Sequence, residues 1–333
     1  MRILFVEDEL SKNIPRVIRL FRKYLGEQQI KRLQEMESDD SGYGIDPDQI
    51  KAIIEETNLI EVEYRFPEAL KKVIHQHQEY SLFIIDRNLV EARYDFEEIS
   101  KIDSSYTESQ YQQYSDREGD YLLYKLAFLN VPVSERFYYL TAYSGQDEIR
   151  GQPDIESLIE HFGDFKQKNF IEKGNEADLK KLISRIENNP LLSLLYDNRI
   201  YLKLLRNHID DDMAGRFIKV LREKDEAIRI GDSLKDIRII YDDLLRKFSD
   251  RRPEIKGKPG KDIIKWLADN GQLNSIIRNF AYSIYGISSD FGGHDSRDKR
   301  SIYSPTTDTV NALVHALKDM ILWLDQKIST HGQ

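Results

Sequence analysis

The sequence opens MRILFVEDEL, in which four apolar residues, Ile3, Leu4, Phe5 and Val6, run straight into three carboxylates, Glu7, Asp8 and Glu9. Carboxylates in that position have two uses. They can mark the point where a buried strand reaches solvent. They can also form one wall of a cation site, since hard divalent ions take oxygen ligands. The second use needs more polar side chains in similar positions. SLFIID (81–86) ends in Asp86, FYYLT (137–141) ends in Thr141, and NFIE (169–172) is followed by Lys173.

These side chains share a location only if the apolar runs are strands of one sheet. Runs at 3–6, 59–64, 81–86, 137–141 and 169–172 alternate with helical spacing. Ile14, Val17, Ile18, Phe21 and Leu25 fall on one helix face, and Ala69, Leu70, Val73 and Ile74 on another. A third helix carries Leu122, Leu123, Leu126 and Phe128, and a closing helix covers 178–186. Strands alternating with helices predict an α/β fold, a doubly wound five-stranded parallel sheet. Ligands of such sheets sit at the carboxyl ends of the strands. Glu7, Asp8, Asp86, Thr141 and Lys173 all fall there. Two polar stretches interrupt the pattern. Residues 26–58 read as an insertion, with Asp39-Asp40-Ser41-Gly42 as a loop and a helix near 47–57. Residues 88–118 read as a long insertion above the strand ends.

From about Asn188 the pattern changes and no clear strand follows. The sequence divides into 1–187 and an all-α domain over 188–333. Helical spacing covers 191–205, 211–248 with Gly231 as its weak point, 262–267, 273–285 and 307–327, the last capped by Thr306 or Thr307. RRPEIKGKPGK (251–261) is a basic loop. Composition narrows the functional classes. With no cysteine there is neither a disulfide nor a thiolate metal site. No apolar run approaches the length of a membrane span. Carboxylates interrupt the first apolar stretch too early for a signal peptide, and a cytoplasmic location is expected. A net charge of −9 argues against nucleic-acid binding by the whole surface.

The strand ends resemble the receiver domain of two-component response regulators. The matching segments are RILFVEDE (2–9), FPEALKKVIHQHQEYSLFIID (66–86), GDYLLYKLAFLN (119–130), YYLTAYS (138–144) and NFIEKG (169–174). The resemblance implies a flavodoxin-like receiver fold. It implies that Glu7 and Asp8, with Asp86, bind Mg²⁺, and that Asp86 accepts a phosphoryl group. Thr141 and Lys173 would contact the phosphoryl oxygens, and Phe170 matches the aromatic switch position. The donor implied is a sensor histidine kinase or a phosphotransfer protein. Two features depart from the family: Gly174 stands where it has proline after the lysine, and 33 positions separate Asp86 from Gly119.

The stretch YGISSDFGGHDSRDKRSIYSPTTDTVNALVHALKDMILWL (285–324) is similar to the C-terminal helical modules of abortive-infection proteins, related to ribonuclease-like domains of prokaryotic phage defence. The resemblance implies His294 as a general acid/base, Asp290 as its orienting partner and an arginine on phosphate charge. Arg278 lies 16 positions before His294, and Arg297 follows it. His315 reads as a packing or surface histidine. No strand hairpin follows a recognition helix, so sequence-specific DNA is not an expected partner, and neither is a membrane. Two readings result. In one, the chain is a phosphorylation-controlled regulator whose helical domain binds a protein partner or forms a homodimer. In the other, that domain is a ribonuclease acting on RNA under receiver control.

Overall fold

A computed structural model describes residues 2–38, 44–89, 94–142, 165–293 and 303–329. The chain divides into two compact units, Met1–Tyr196 and Asp197–Gln333.

In the first unit, five strands form one sheet: β1 (Arg2–Val6), β2 (Ile60–Glu63), β3 (Tyr80–Ile85), β4 (Phe137–Thr141) and β5 (Phe170–Glu172). All neighbours are parallel, and the order is β2-β1-β3-β4-β5. Parallel strands are covered on both faces, which explains why β1 and β3 are near-continuous apolar runs. Alternate residues face opposite sides. Leu4, Val6, Phe83, Ile85, Phe137 and Tyr139 pack with helices Phe66–Gln76 and Glu118–Phe128. On the other face Phe5 meets Phe21 of helix Ile14–Phe21, ring centroids 5.3 Å apart. Helix Ile14–Phe21 in turn packs on helix Glu176–Glu187.

The segment at 26–58 holds two helices, Glu27–Ser38 and Pro47–Glu55, the second capped by the Asp46 side chain and packed on β2. The loop expected at 39–42 lies outside the described residues. The segment before Gly119 differs from the long polar loop expected there. It forms helices Phe96–Ile102 and Glu108–Tyr114, the latter opened by a Thr107–Gln110 capping box. Its aromatic rings enter the core: Tyr94 and Tyr106 pack on Phe66, and Tyr106 and Tyr114 on Tyr121. Tyrosine brings a large apolar ring with one polar tip, so a stretch that scores as polar can still fill a core.

Helix Pro190–Asp197 follows the closing helix, and within the first unit the Tyr24 ring lies 5.3 Å from Tyr196 while Lys23 donates to Ser193 at 3.2 Å. The division of the chain therefore falls beyond residue 187. The second unit contains helices Arg199–His208, Asp211–Glu223, Ile230–Ser249, Gly260–Asp269, Ser275–Ser288 and Thr307–Ser329, and no strand among the described residues. The span 211–248 is broken at 224–229 rather than at Gly231, which is helical. Thr306 caps the last helix, its hydroxyl accepting from Thr309 N at 3.3 Å. No helix among the described residues is long and apolar enough to cross a membrane.

Candidate metal centre

Backbone hydrogen bonds carry the sheet past its strand ends. Glu7 N donates to Glu63 O at 3.0 Å, Asp86 N to Val6 O at 2.8 Å and Lys173 N to Thr141 O at 2.7 Å. The sheet's own pairing therefore fixes the positions of Glu7, Asp86, Thr141 and Lys173 on its carboxyl-terminal edge. Side chains there have little access to water: Glu7 is 0 % exposed, Asp8 8 %, Asp86 5 % and Thr141 2 %.

Glu7, Asp8 and Asp86 each offer a carboxylate oxygen within 4.8 Å of the others. From the end of β5, Lys173 Nζ reaches Glu7 Oε1 at 2.9 Å, Glu7 Oε2 at 2.8 Å and Asp86 Oδ2 at 2.5 Å. Asn13 Nδ2 donates to Glu7 Oε1 at 3.2 Å, and Asn88 N to Asp86 Oδ1 at 3.3 Å. Burial and the nearby Asp86 charge push Glu7 up to about 8, with Lys173 pulling the other way. Burial alone would lower Lys173; the charges of Glu7 and Asp86 outweigh it and hold the ammonium above its ordinary value. Three buried carboxylates around one lysine leave excess negative charge. An all-oxygen donor set of this size fits a hard cation of the Mg²⁺ type, with water completing its shell.

Thr141 sits on the same edge, on the strand between Asp86 and Lys173. Phe170 opens β5, its ring 4.8 Å from Tyr139 and 6.1 Å from Phe165. Glu9 stays outside the cluster and pairs with Lys12 at 2.9 Å, which lowers its pKa.

Several residues at the site carry no motif signal. Asn13 orients Glu7. Glu118 is buried, and its Oε2 accepts Leu89 N at 3.2 Å while Oε1 accepts the Tyr94 hydroxyl at 2.9 Å. Gly119 is the close-approach point: a Cβ there would stand 2.4 Å from Asp86 O and 2.7 Å from Arg87 Cα. A glycine just inside a helix, 33 positions after the strand-ending acid, was the available clue.

In the second unit, Arg278 is exposed on helix Ser275–Ser288 and Asp290 is half-buried in the π-helical turn Ser289–Gly293. His294 and Arg297 lie outside the described residues. Arg238 anchors this region instead, its guanidinium 3.7 Å from the Tyr285 ring centroid and donating to Tyr285 O at 3.2 Å, to Asp242 at 2.6 Å and to Ser289. The basic loop is held by buried Ile255, with Arg251, Lys256, Lys258 and Lys261 exposed and Arg252 over the Phe248 and Trp266 rings. No protein-family model matches this chain, and no curated protein or solved structure matches it.

Proposed function

We propose that the first unit is a receiver-type module in which Asp86 accepts a phosphoryl group in a Mg²⁺-dependent reaction, and that the state of Asp86 controls the helical unit. The observation that carries this reading is the contact of Lys173 with both Glu7 and Asp86 in a three-carboxylate cluster at the carboxyl edge of a parallel sheet. Strand order supports it, since β2-β1-β3-β4-β5 is the order of flavodoxin-like doubly wound folds, whose ligands sit at that edge.

The chemistry follows from the side chains. An Asp86 oxygen attacks the phosphorus of a phosphohistidine on a sensor kinase or phosphotransfer protein. The O–P bond forms as the N–P bond breaks, and the leaving imidazole takes a proton from water. The product is an acyl phosphate, as in other aspartyl-phosphate chemistry. When bound, Mg²⁺ supplies positive charge to the phosphoryl oxygens. Glu7, Asp8 and Asp86 would hold it. Lys173 offers a compact second cation, and the Thr141 hydroxyl can donate to a phosphoryl oxygen. Added charge at this edge then biases Thr141 and Phe170 toward a second arrangement. The second unit has no strand among its described residues, which favours output through helix faces, by partner binding or self-association.

Acetyl phosphate and Mg²⁺ test the reading directly, with intact mass as the readout. The expected result is one phosphoryl group on the wild type, and none on Asp86→Asn or in excess chelator. An adduct that survives Asp86→Asn, or no adduct on the wild type, overturns it.

A further inference from the structure

Beside the metal centre lies a buried polar network that the chemistry above does not use. Arg87 follows Asp86 directly and is only 2 % exposed. Its guanidinium grips Asp120 in the first turn of helix Glu118–Phe128. Nε donates to the two carboxylate oxygens at 3.0 and 3.2 Å, and Nη2 donates to Oδ2 at 3.0 Å. Asp120 is fully buried and takes a third partner, the Tyr139 hydroxyl, which donates to Oδ1 at 2.7 Å. Tyr139 is a β4 residue two positions before Thr141, so both face the same side of the sheet. Its ring packs on Phe170, its register partner on β5. The Asp86 loop is also pressed onto the same helix: Gly119 N donates to Arg87 O at 3.1 Å, with no room for a Cβ between them.

An ion pair this deep is poorly explained by stability alone. Desolvation offsets much of the Coulomb energy of a buried pair, and replacing such a pair with apolar side chains of similar volume is often neutral or stabilising. What it supplies is geometry, because a guanidinium–carboxylate fork fixes two groups in distance and in orientation. Here it fixes the loop carrying Asp86 to a helix, and through Asp120 to a strand leading to Thr141.

We propose that Arg87, Asp120 and Tyr139 are positioning residues, a brace that holds the Asp86 loop against β4 and ties it to the Phe170 ring. What the brace positions rests on the reading of Asp86 as an acceptor; its existence as one mechanical unit does not, and the two are tested apart.

Tyr139→Phe is the informative variant, since it keeps the ring and removes one hydroxyl. In the metal-free full chain, amide exchange is measured at two places. The first is Asn88 and Leu89, whose amides are bonded to Asp86 and Glu118. The second is Phe170 and Ile171 on β5. Loss of one hydrogen bond to a buried charge should speed exchange roughly tenfold at both places together. Asp120→Asn should do so more strongly. Acceleration confined to β4 and β5, with Asn88 and Leu89 unchanged, overturns the brace. The second arm follows adduct formation from acetyl phosphate. Tyr139→Phe should slow it by about tenfold at saturating Mg²⁺. An unchanged rate overturns the positioning role. If the wild type forms no adduct, the acceptor reading fails, and the exchange measurement alone decides the brace.

Discussion

Lys173 Nζ lies 2.5 Å from Asp86 Oδ2, although their strands are separated by β4 in the sheet. The same ammonium lies 2.8 Å from Glu7 Oε2. One cation thus joins the ends of β1 and β3 from the end of β5. Lys173→Met leaves those two buried carboxylates without their shared partner. Breaking a buried pair by removing one member costs about 3–5 kcal/mol. In chelator, urea unfolding should show a loss of that order, reduced where Glu7 takes up a proton. Added Mg²⁺ should recover more stability in this variant than in the wild type. Equal stability of wild type and Lys173→Met in chelator would contradict the assigned contact.

Glu7 sets a pH dependence with a definite sign. Its folded pKa is raised to about 8 from an ordinary 4.5, so between those values the folded state holds a proton that the unfolded state has released. Stability of the metal-free chain therefore falls as pH rises through that window. A divalent cation favours the ionised carboxylate and should flatten the slope. Melting temperatures at pH 5.5 and pH 8, with chelator and with Mg²⁺, measure both effects. A metal-free chain that gains stability over this interval would mean that Glu7 is ionised there.

How much of this was legible in the sequence depended on the kind of contact. β4 matches the run FYYLT residue for residue, because a buried parallel strand writes itself as an unbroken apolar run. The acids and the lysine at strand ends were legible for the same reason, as charges in positions that the pattern requires to be structured. Arg87 and Asp120 were not. They lie 33 positions apart, on either side of a stretch that reads as solvated, and no periodicity joins them. The segment after Asp86 misled for a chemical reason: Tyr94, Tyr106, Tyr111 and Tyr114 count as half-polar, yet their rings pack together with Phe66, Phe96 and Tyr121. On propensity, Gly231 reads as the weak point of 211–248. A helix tolerates one glycine at roughly 1 kcal/mol, and this one is helical.

Gly119→Ala tests the close approach of the helix to the Asp86 loop. Its new Cβ would meet three backbone atoms, none able to swing aside. Alanine is the better helix former by about 1 kcal/mol, but forced overpacking costs about 1–3 kcal/mol and moves backbone. The loop carrying Asp86 should therefore shift. A net loss of stability is expected, with weaker Mg²⁺ protection against thermal unfolding. A variant as stable as the wild type and equally protected by Mg²⁺ would show that the loop has slack.

In the helical unit, Arg238 and Arg278 should behave oppositely. Arg238 lies against the Tyr285 ring and bonds Asp242, Ser289 and the Tyr285 carbonyl, tying helix Ile230–Ser249 to the turn after Ser288. Arg238→Met loses the hydrogen bonds and the cation–ring contact together, a cost on the order of 2–4 kcal/mol. Lysine at this position keeps the charge but not the planar stack, and should recover only part of that. Arg278 is exposed, and Arg278→Ala should stay within about 0.5 kcal/mol of the wild type. Urea unfolding of the full chain, followed by the fluorescence of Trp266 and Trp323, reports on this unit alone, because both tryptophans of the sequence lie in it. If Arg278→Ala proved the more damaging of the two, the turn after Ser288 would have to be held by contacts other than those of Arg238.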